Sequence, residues 1–141
     1  WGTSYRRSFS DHIIDTIQSG DTVDLFEDVF FTPVIASELA LTAHELLESS
    51  AKGIFNVVSD DRISKFEFGL VLAKAFNLDE RLIKNRKITN HPLLVPRPKD
   101  MSLSNSKVCN HIGRSIGGVE KFIEDLRCQR SMGVASELGK L

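Results

Sequence analysis

The chain has 141 residues, 41% of them hydrophobic and 26% charged, the size and make-up of one globular domain with enough apolar residues for a core. A net charge of −1 gives no bulk field to attract nucleic acid or an acidic membrane surface, so any anionic ligand must be held by a few placed donors. The two cysteines, Cys109 and Cys128, are too few for a disulfide framework or a cysteine zinc site and fit a reducing cytoplasm.

The opening Trp1-Gly-Thr-Ser-Tyr-Arg-Arg7 lacks an initiator methionine and an apolar signal core, and it reads as the middle of a loop. A longer parent protein is therefore expected. No apolar run approaches the ~20 residues of a membrane span.

Ser8-Phe-Ser-Asp11 has a capping-box pattern and opens a helix to about Ser19, with Phe9, Ile13, Ile14 and Ile17 on one stripe and Gly20 as its stop. Val23-Asp-Leu-Phe26 alternates as a short strand. The stretch Phe30-Phe-Thr-Pro33 then runs extended into a helix over residues 36–49. Adjacent phenylalanines in an extended chain point to opposite sides, so only one of Phe30 and Phe31 can face the core. Pro33 holds Thr32 out of the helical region, leaving its hydroxyl and carbonyl for a ligand or for the next helix. In the helix, Leu39, Ala40, Ala43, Leu46 and Leu47 share a side and are expected to face inward.

Gly53-Ile-Phe-Asn-Val-Val58 is a β-rich run, expected as a strand buried on both faces. Ser64-Lys-Phe-Glu67 is a full capping box for a helix through Phe76 with Phe66, Leu70 and Ala73 inward, and Gly69 marks close helix packing. Asn77 is a stop, and residues 79–84 read as a further helical turn. From residue 88 to 101 the chain changes character, and Pro92, Pro96 and Pro98 make residues 89–100 an extended surface arm. A short helix with Val108 and Ile112 follows, broken by Gly117-Gly118, and a last helix over residues 119–127 turns Val119, Phe122, Ile123 and Leu126 inward.

Self-contained catalysis has little support in these residues. Gly113, Gly117 and Gly118 lie between late helices, not after a strand, and the only tyrosine, Tyr5, is followed four residues on by Phe9, so no Tyr-x-x-x-Lys pair exists. Ser10-Asp11-His12 cannot form a relay, because helix neighbours diverge by ~100°. Cys109-Asn-His111 has no second pair of metal ligands, His44 sits beside an apolar face, and Asp60-Asp61 reads as favourable dipole charge before a helix. One candidate remains. In Val95-Pro-Arg97-Pro-Lys-Asp100, flanking prolines stiffen the backbone that presents Arg97, which either grips a phosphate bidentately with Lys99 as a looser second charge, or belongs to a solvated loop or a local ion pair.

Three motifs in order carry a resemblance. Phe31-Thr-Pro-Val-Ile-Ala-Ser-Glu-Leu-Ala40, then Gly53-Ile-Phe-Asn-Val57 with Ser64-Lys-Phe-Glu-Phe68, then Pro96-Arg-Pro-Lys-Asp-Met-Ser-Leu-Ser-Asn-Ser-Lys107 resemble segments of the dTDP-4-dehydrorhamnose reductases. These are extended short-chain dehydrogenases/reductases acting on nucleotide sugars. The resemblance spans residues 8–107. It implies a helix-rich α/β fold with few short strands, residues 1–127 being the C-terminal sugar-nucleotide-binding portion and residues 128–141 a tail. The N-terminal Rossmann domain, with the glycine-rich turn and the Tyr-x-x-x-Lys pair, would be missing from this chain.

The resemblance further implies a cytoplasmic parent oxidoreductase that reduces a keto sugar with NADPH or NADH for deoxysugar or polysaccharide precursors. This portion would hold substrate without performing chemistry, and bind no cofactor or metal itself. Arg97 would contact the diphosphate or nucleoside, Phe31, Thr32 and Pro33 would line the cleft, and Ser8 and Phe9 would mark where the substrate domain begins. Phe30-Phe31 and Ser37-Glu38 depart from the family pattern and bear on which sugar and base are bound. Lys99 stands where related epimerases have glycine, which favours a reductase over an epimerase. Two other readings are a non-catalytic regulatory subunit resembling that of methionine adenosyltransferase, and a helical interaction domain without a small ligand. In isolation, the residue 53–58 strand edge and the uncovered apolar helix sides are expected to drive self-association.

Overall fold

A computed structural model describes residues 7–88 and 98–133. The first helix, α1 (Phe9–Gln18), starts as the sequence predicts. Ser8 Oγ accepts the Asp11 N–H at 3.1 Å, the Asp11 carboxylate accepts the Ser8 N–H at 3.2 Å, and Gly20 follows the end at φ 81°. Ile13, Ile14 and Ile17 are buried.

Strand β1 (Val23–Phe26) buries Val23 and Leu25 and pairs in parallel with β4 (Ile83–Arg86), Val23 opposite Ile83 through Phe26 opposite Arg86. The crossover carries α3 (Lys65–Ala75), which packs against both strands. Gly69 sits at the crossing, where a methyl would overlap the buried Leu25 Cδ1. The close approach is therefore to the strands β1 and β4 rather than to another helix. Helices α1 and α5 (Val119–Ser131) complete the main core around Ile13, Ile14, Leu25, Leu72, Ile83 and Ile123. A smaller cluster of Val108, Ile116 and Phe122 gathers α4 (Ser106–Ile112) with Val34, Leu46 and Phe55. Among the described residues the result is a helix-rich α/β fold with two short sheets, the second formed by β2 (Phe30–Phe31) and β3 (Ile63–Ser64). No described helix is long and apolar enough to cross a membrane.

Several local expectations are corrected. Residues 53–58 form no described strand. Ile54 is 85% exposed while Phe55, Val57 and Val58 turn inward, and side chains take the carbonyls, Lys107 Nζ on Ile54 O at 2.8 Å and Asn105 Nδ2 on Val58 O at 3.2 Å. The helical turn expected over residues 79–84 is present as a 3₁₀ turn at residues 80–82, but residues 83–86 form the strand β4. Helix α4 ends at Gly113 with φ 71°, before Gly117-Gly118, and α5 continues to Ser131. In α3 the buried positions are Phe68, Gly69, Leu72 and Ala73, with Phe66 and Leu70 half-buried.

The largest correction concerns α2 (Ala36–Glu48). Its buried residues are Glu38 and Thr42, while Leu39, Ala40, Ala43 and Leu47 are exposed and Leu46 is half-buried. The cause is Arg114, whose guanidinium reaches Glu38 at 2.8 Å and Glu45 at 3.1 Å and turns the polar side of α2 inward. Asp60 and Asp61 are likewise helix charges, but for α5 rather than for the helix that follows them. Asp61 accepts the Val119 N–H at 2.8 Å and Asp60 the Gly117 N–H at 3.0 Å. Burial pushes the Asp60 carboxyl up, yet the Ser115 hydroxyl, the Asn105 amide and the Gly117 N–H outweigh it and leave it below the usual range.

Candidate substrate-binding site

The two-residue strand β2 separates its aromatic side chains as alternation requires. Phe31 packs at 6.2 Å, ring centre to centre, on Phe9 and at 5.4 Å on Phe68, edge to face in both cases. Phe30 points the other way and lies 3.6 Å beneath the Arg62 guanidinium. On one edge β2 pairs antiparallel with β3, Phe30 opposite Ser64 and Phe31 opposite Ile63.

The returning end of the proline-rich arm occupies the other edge. Phe30 N–H donates to Lys99 O at 2.7 Å, Met101 N–H donates to Phe30 O at 3.0 Å, and Leu103 N–H donates to Thr32 Oγ1 at 3.2 Å. Arg62 clamps the junction by also binding Asp100 at 2.8 Å. The Ser102 hydroxyl, with Arg62, holds the Asp100 carboxyl down at about 2. Below the arm, Asp28 accepts the Ile88 N–H at 2.8 Å and pairs with Lys99 at 3.4 Å. One carboxylate thus holds both flanks of residues 89–97. Burial pushes it up, but the Ile88 N–H and Lys99 leave it lowered overall.

Between these elements lies a cavity of about 350 Å³, walled by Phe9, Leu25, Phe26, Val29 and Lys65, with Asp24, Ile88, Pro98 and Met101 completing it. A smaller cavity of about 190 Å³ opens between the start of α1, residues 33–36 and α5, lined by Ser8, Pro33, Phe68 and Phe122 among others. The residues the resemblance implicates are therefore divided. Phe9 faces the larger cavity, Ser8 and Pro33 the smaller, and Phe31 touches Phe9 and Phe68, one ring from each. Thr32 uses its hydroxyl oxygen to hold the arm, and Lys99 is engaged with Asp28. Arg97 lies outside the described residues.

Lys65 was legible in the sequence only as part of a capping box. That box is formed. Ser64 Oγ accepts the Glu67 N–H at 3.1 Å and the Glu67 carboxylate accepts the Ser64 N–H at 3.0 Å, fixing Lys65 as the first residue of α3. A cation there opposes the helix dipole, and that mismatch is the signal that marks it. Asp28 and the Arg62–Asp100 clamp carried no such signal, since their partners are 38 to 71 residues distant. The other titratable residues weighed from sequence serve elsewhere: His111 bonds Ser49 at 2.8 Å and His44 sits exposed near Glu48.

With this geometry in place, the family model described as the RmlD substrate binding domain matches residues 2–127. The chain belongs to this family. A curated relative, a probable low-salt glycan biosynthesis reductase of Haloferax volcanii, is 31% identical over 113 residues, covering 80% of this chain and 38% of the relative. Among solved structures, a dTDP-4-dehydrorhamnose reductase from Bacillus anthracis in complex with NADP superposes with a TM-score of 0.79 at 17% identity, covering 89% of this chain and 44% of that one. A dTDP-glucose 4,6-dehydratase from the same organism gives a TM-score of 0.67 at 8% identity, with 88% and 40% covered. This RmlD-type chain spans less than half the length of these relatives. The substrate-binding fold is common to a reductase and a dehydratase, so the fold does not choose between their chemistries.

Proposed function

We propose that this chain is the substrate-binding half of an NAD(P)-dependent reductase of nucleotide sugars, contributing binding and not the hydride-transfer chemistry. The observation that carries this reading is the joining of the arm to the aromatic lip, residues 99–103 hydrogen-bonded along residues 30–32, at the mouth of an aromatic-walled cavity. Family membership supports it, and so does the curated relative's description as a reductase. Arg97 is assigned to the diphosphate, Phe9 to the aromatic wall with Phe31 packed on it, Thr32 and Lys99 to the junction with the arm, and Ser8 and Pro33 to the smaller neighbouring cavity.

The chemistry implied is reduction of a keto sugar by a nicotinamide. The Gly117-Gly118 pair does not suit a dinucleotide phosphate. Gly117 and Gly118 lead into α5, but Asp60 and Asp61 already take the N–H groups of Gly117 and Val119, and a diphosphate would meet two carboxylates there. NADPH or NADH is therefore assigned to other parts of the parent protein.

Titration of the chain with dTDP in a calorimeter tests this. Measurable binding is expected, weakened about 10- to 100-fold by Arg97→Ala, the range for removing a charge-assisted phosphate contact. The absence of any heat with dTDP, together with an Arg97→Ala variant indistinguishable from the original, would overturn the reading.

A further inference from the structure

Lys65 is set apart from every other described lysine. The rest are exposed, whereas Lys65 is half-buried. Its Nζ lies 3.5 Å from the Phe31 ring centre and 4.3 Å from that of Phe9, and among the described residues it has no carboxylate or carbonyl partner. Ring faces favour a cation but cannot accept three N–H hydrogen bonds. Burial accordingly draws the amine below the usual lysine range.

The acidic groups nearby do not answer this charge, because each already has a partner. Asp24, on the wall of the same cavity, pairs with Arg86 at 3.2 Å; Asp28 pairs with Lys99; Glu27 pairs with Lys87 at 3.2 Å; Glu67 caps Ser64; Asp100 holds Arg62. The wall therefore carries one cation in excess, in a partly desolvated position, beside aromatic faces. A carboxylate-neutral pocket with one unanswered ammonium fits an anionic ligand that also presents an apolar or planar part.

We infer that Lys65 is a ligand-binding residue that takes a phosphate of the nucleotide sugar inside the cavity that it walls together with Phe9. This rests on the substrate-binding reading and adds to it a contact that is independent of Arg97. The ammonium donates to a phosphate oxygen while its stem keeps its place against the rings, so binding needs little reorganisation of α3.

The test titrates the chain and its Lys65→Gln, Lys65→Met and Lys65→Arg variants with dTDP, thymidine and inorganic pyrophosphate. Lys65→Gln and Lys65→Met are expected to weaken dTDP about 10- to 100-fold while leaving thymidine unchanged, and Lys65→Arg to restore part of the loss. Lys65→Met keeps the apolar stem, so an unaltered unfolding midpoint in that variant separates a binding defect from a folding defect. Equal dTDP affinity in all four proteins would overturn the role of Lys65 while leaving the substrate reading intact. Parallel loss of dTDP and thymidine would overturn it too, as the mark of a merely structural lysine. Pyrophosphate binding as tightly as dTDP would overturn the nucleotide assignment in favour of free phosphate. Failure of the unsubstituted chain to bind either dTDP or thymidine would overturn both readings together.

Discussion

Arg114→Ala is expected to lower the free energy of unfolding by about 3 kcal/mol, the lower end of the range for breaking a buried ion pair from one side. Arg114 reaches Glu38 at 2.8 Å, Glu45 at 3.1 Å, Thr42 Oγ1 at 3.1 Å and Ser115 O at 3.0 Å. Glu38 is only 9% exposed and Thr42 is fully buried, with its hydroxyl donating to Glu38 at 3.1 Å. The Glu45 and Glu38 carboxylates both push the guanidinium's proton affinity up, so the cation is present throughout the working pH range. Removing it leaves the buried Glu38 with no countercharge. Arg114 and Glu45 keep about a third of their surface in water, which sets the loss at the lower end. Denaturant unfolding measures it. Replacing both partners, Glu38→Leu with Arg114→Met, is expected to recover much of the loss, because an apolar pair satisfies the site where a lone carboxylate cannot. A single-variant loss below about 1 kcal/mol would mean that the network contributes no more than an exposed pair.

Self-association of the isolated chain is the second large effect. With the polar side of α2 turned inward, Leu39 at 44% and Leu47 at 79% exposure lie on its outer stripe with Ala36, Ala40 and Ala43, and Ile54 is 85% exposed. For the isolated chain, a second copy is the available apolar surface. Full burial of each leucine contributes about 1.5–3 kcal/mol, enough for a few contacts to favour dimers at high concentration. Light scattering over a concentration series is expected to show growth in mass that Leu39→Glu with Leu47→Glu abolishes. A monodisperse monomer that binds no apolar dye would contradict it.

The sequence made the capped elements legible because their signals are local. Ser8 with Asp11 and Ser64 with Glu67 satisfy backbone donors three residues away, and the inward face of α5 follows from four apolar residues at helical spacing. It misjudged α2 because the partner that inverts the helix, Arg114, lies some 70 residues downstream. Strand β4 was hidden for a related reason. Ile83-Lys-Asn-Arg86 has one buried side chain and three exposed ones, and its strand identity comes from parallel backbone pairing with β1 across nearly 60 residues. Residues 53–58 have strand composition, yet side chains from residues 105 and 107 take their carbonyls in place of a ladder.

The candidate site divides along the same line. Opposite placement of Phe30 and Phe31 follows from alternation alone, and the structure adds what each meets, Arg62 on one side and Phe9 with Phe68 on the other. Thr32 was expected to offer its hydroxyl to a ligand or to the helix that follows; it holds the arm through the Leu103 N–H. Lys65 stood in plain view inside a capping motif, but its half-burial depends on rings from α1 and β2 that no local pattern brings to it.

The most direct test of the substrate-binding account is to add dTDP to the isotopically labelled chain and map the perturbed nuclear magnetic resonance signals. The account predicts saturable shifts concentrated at Phe9, Phe31, the Lys65 side chain and residues 99–103. Shifts confined to the outer stripe of α2, or none at millimolar dTDP, would contradict it.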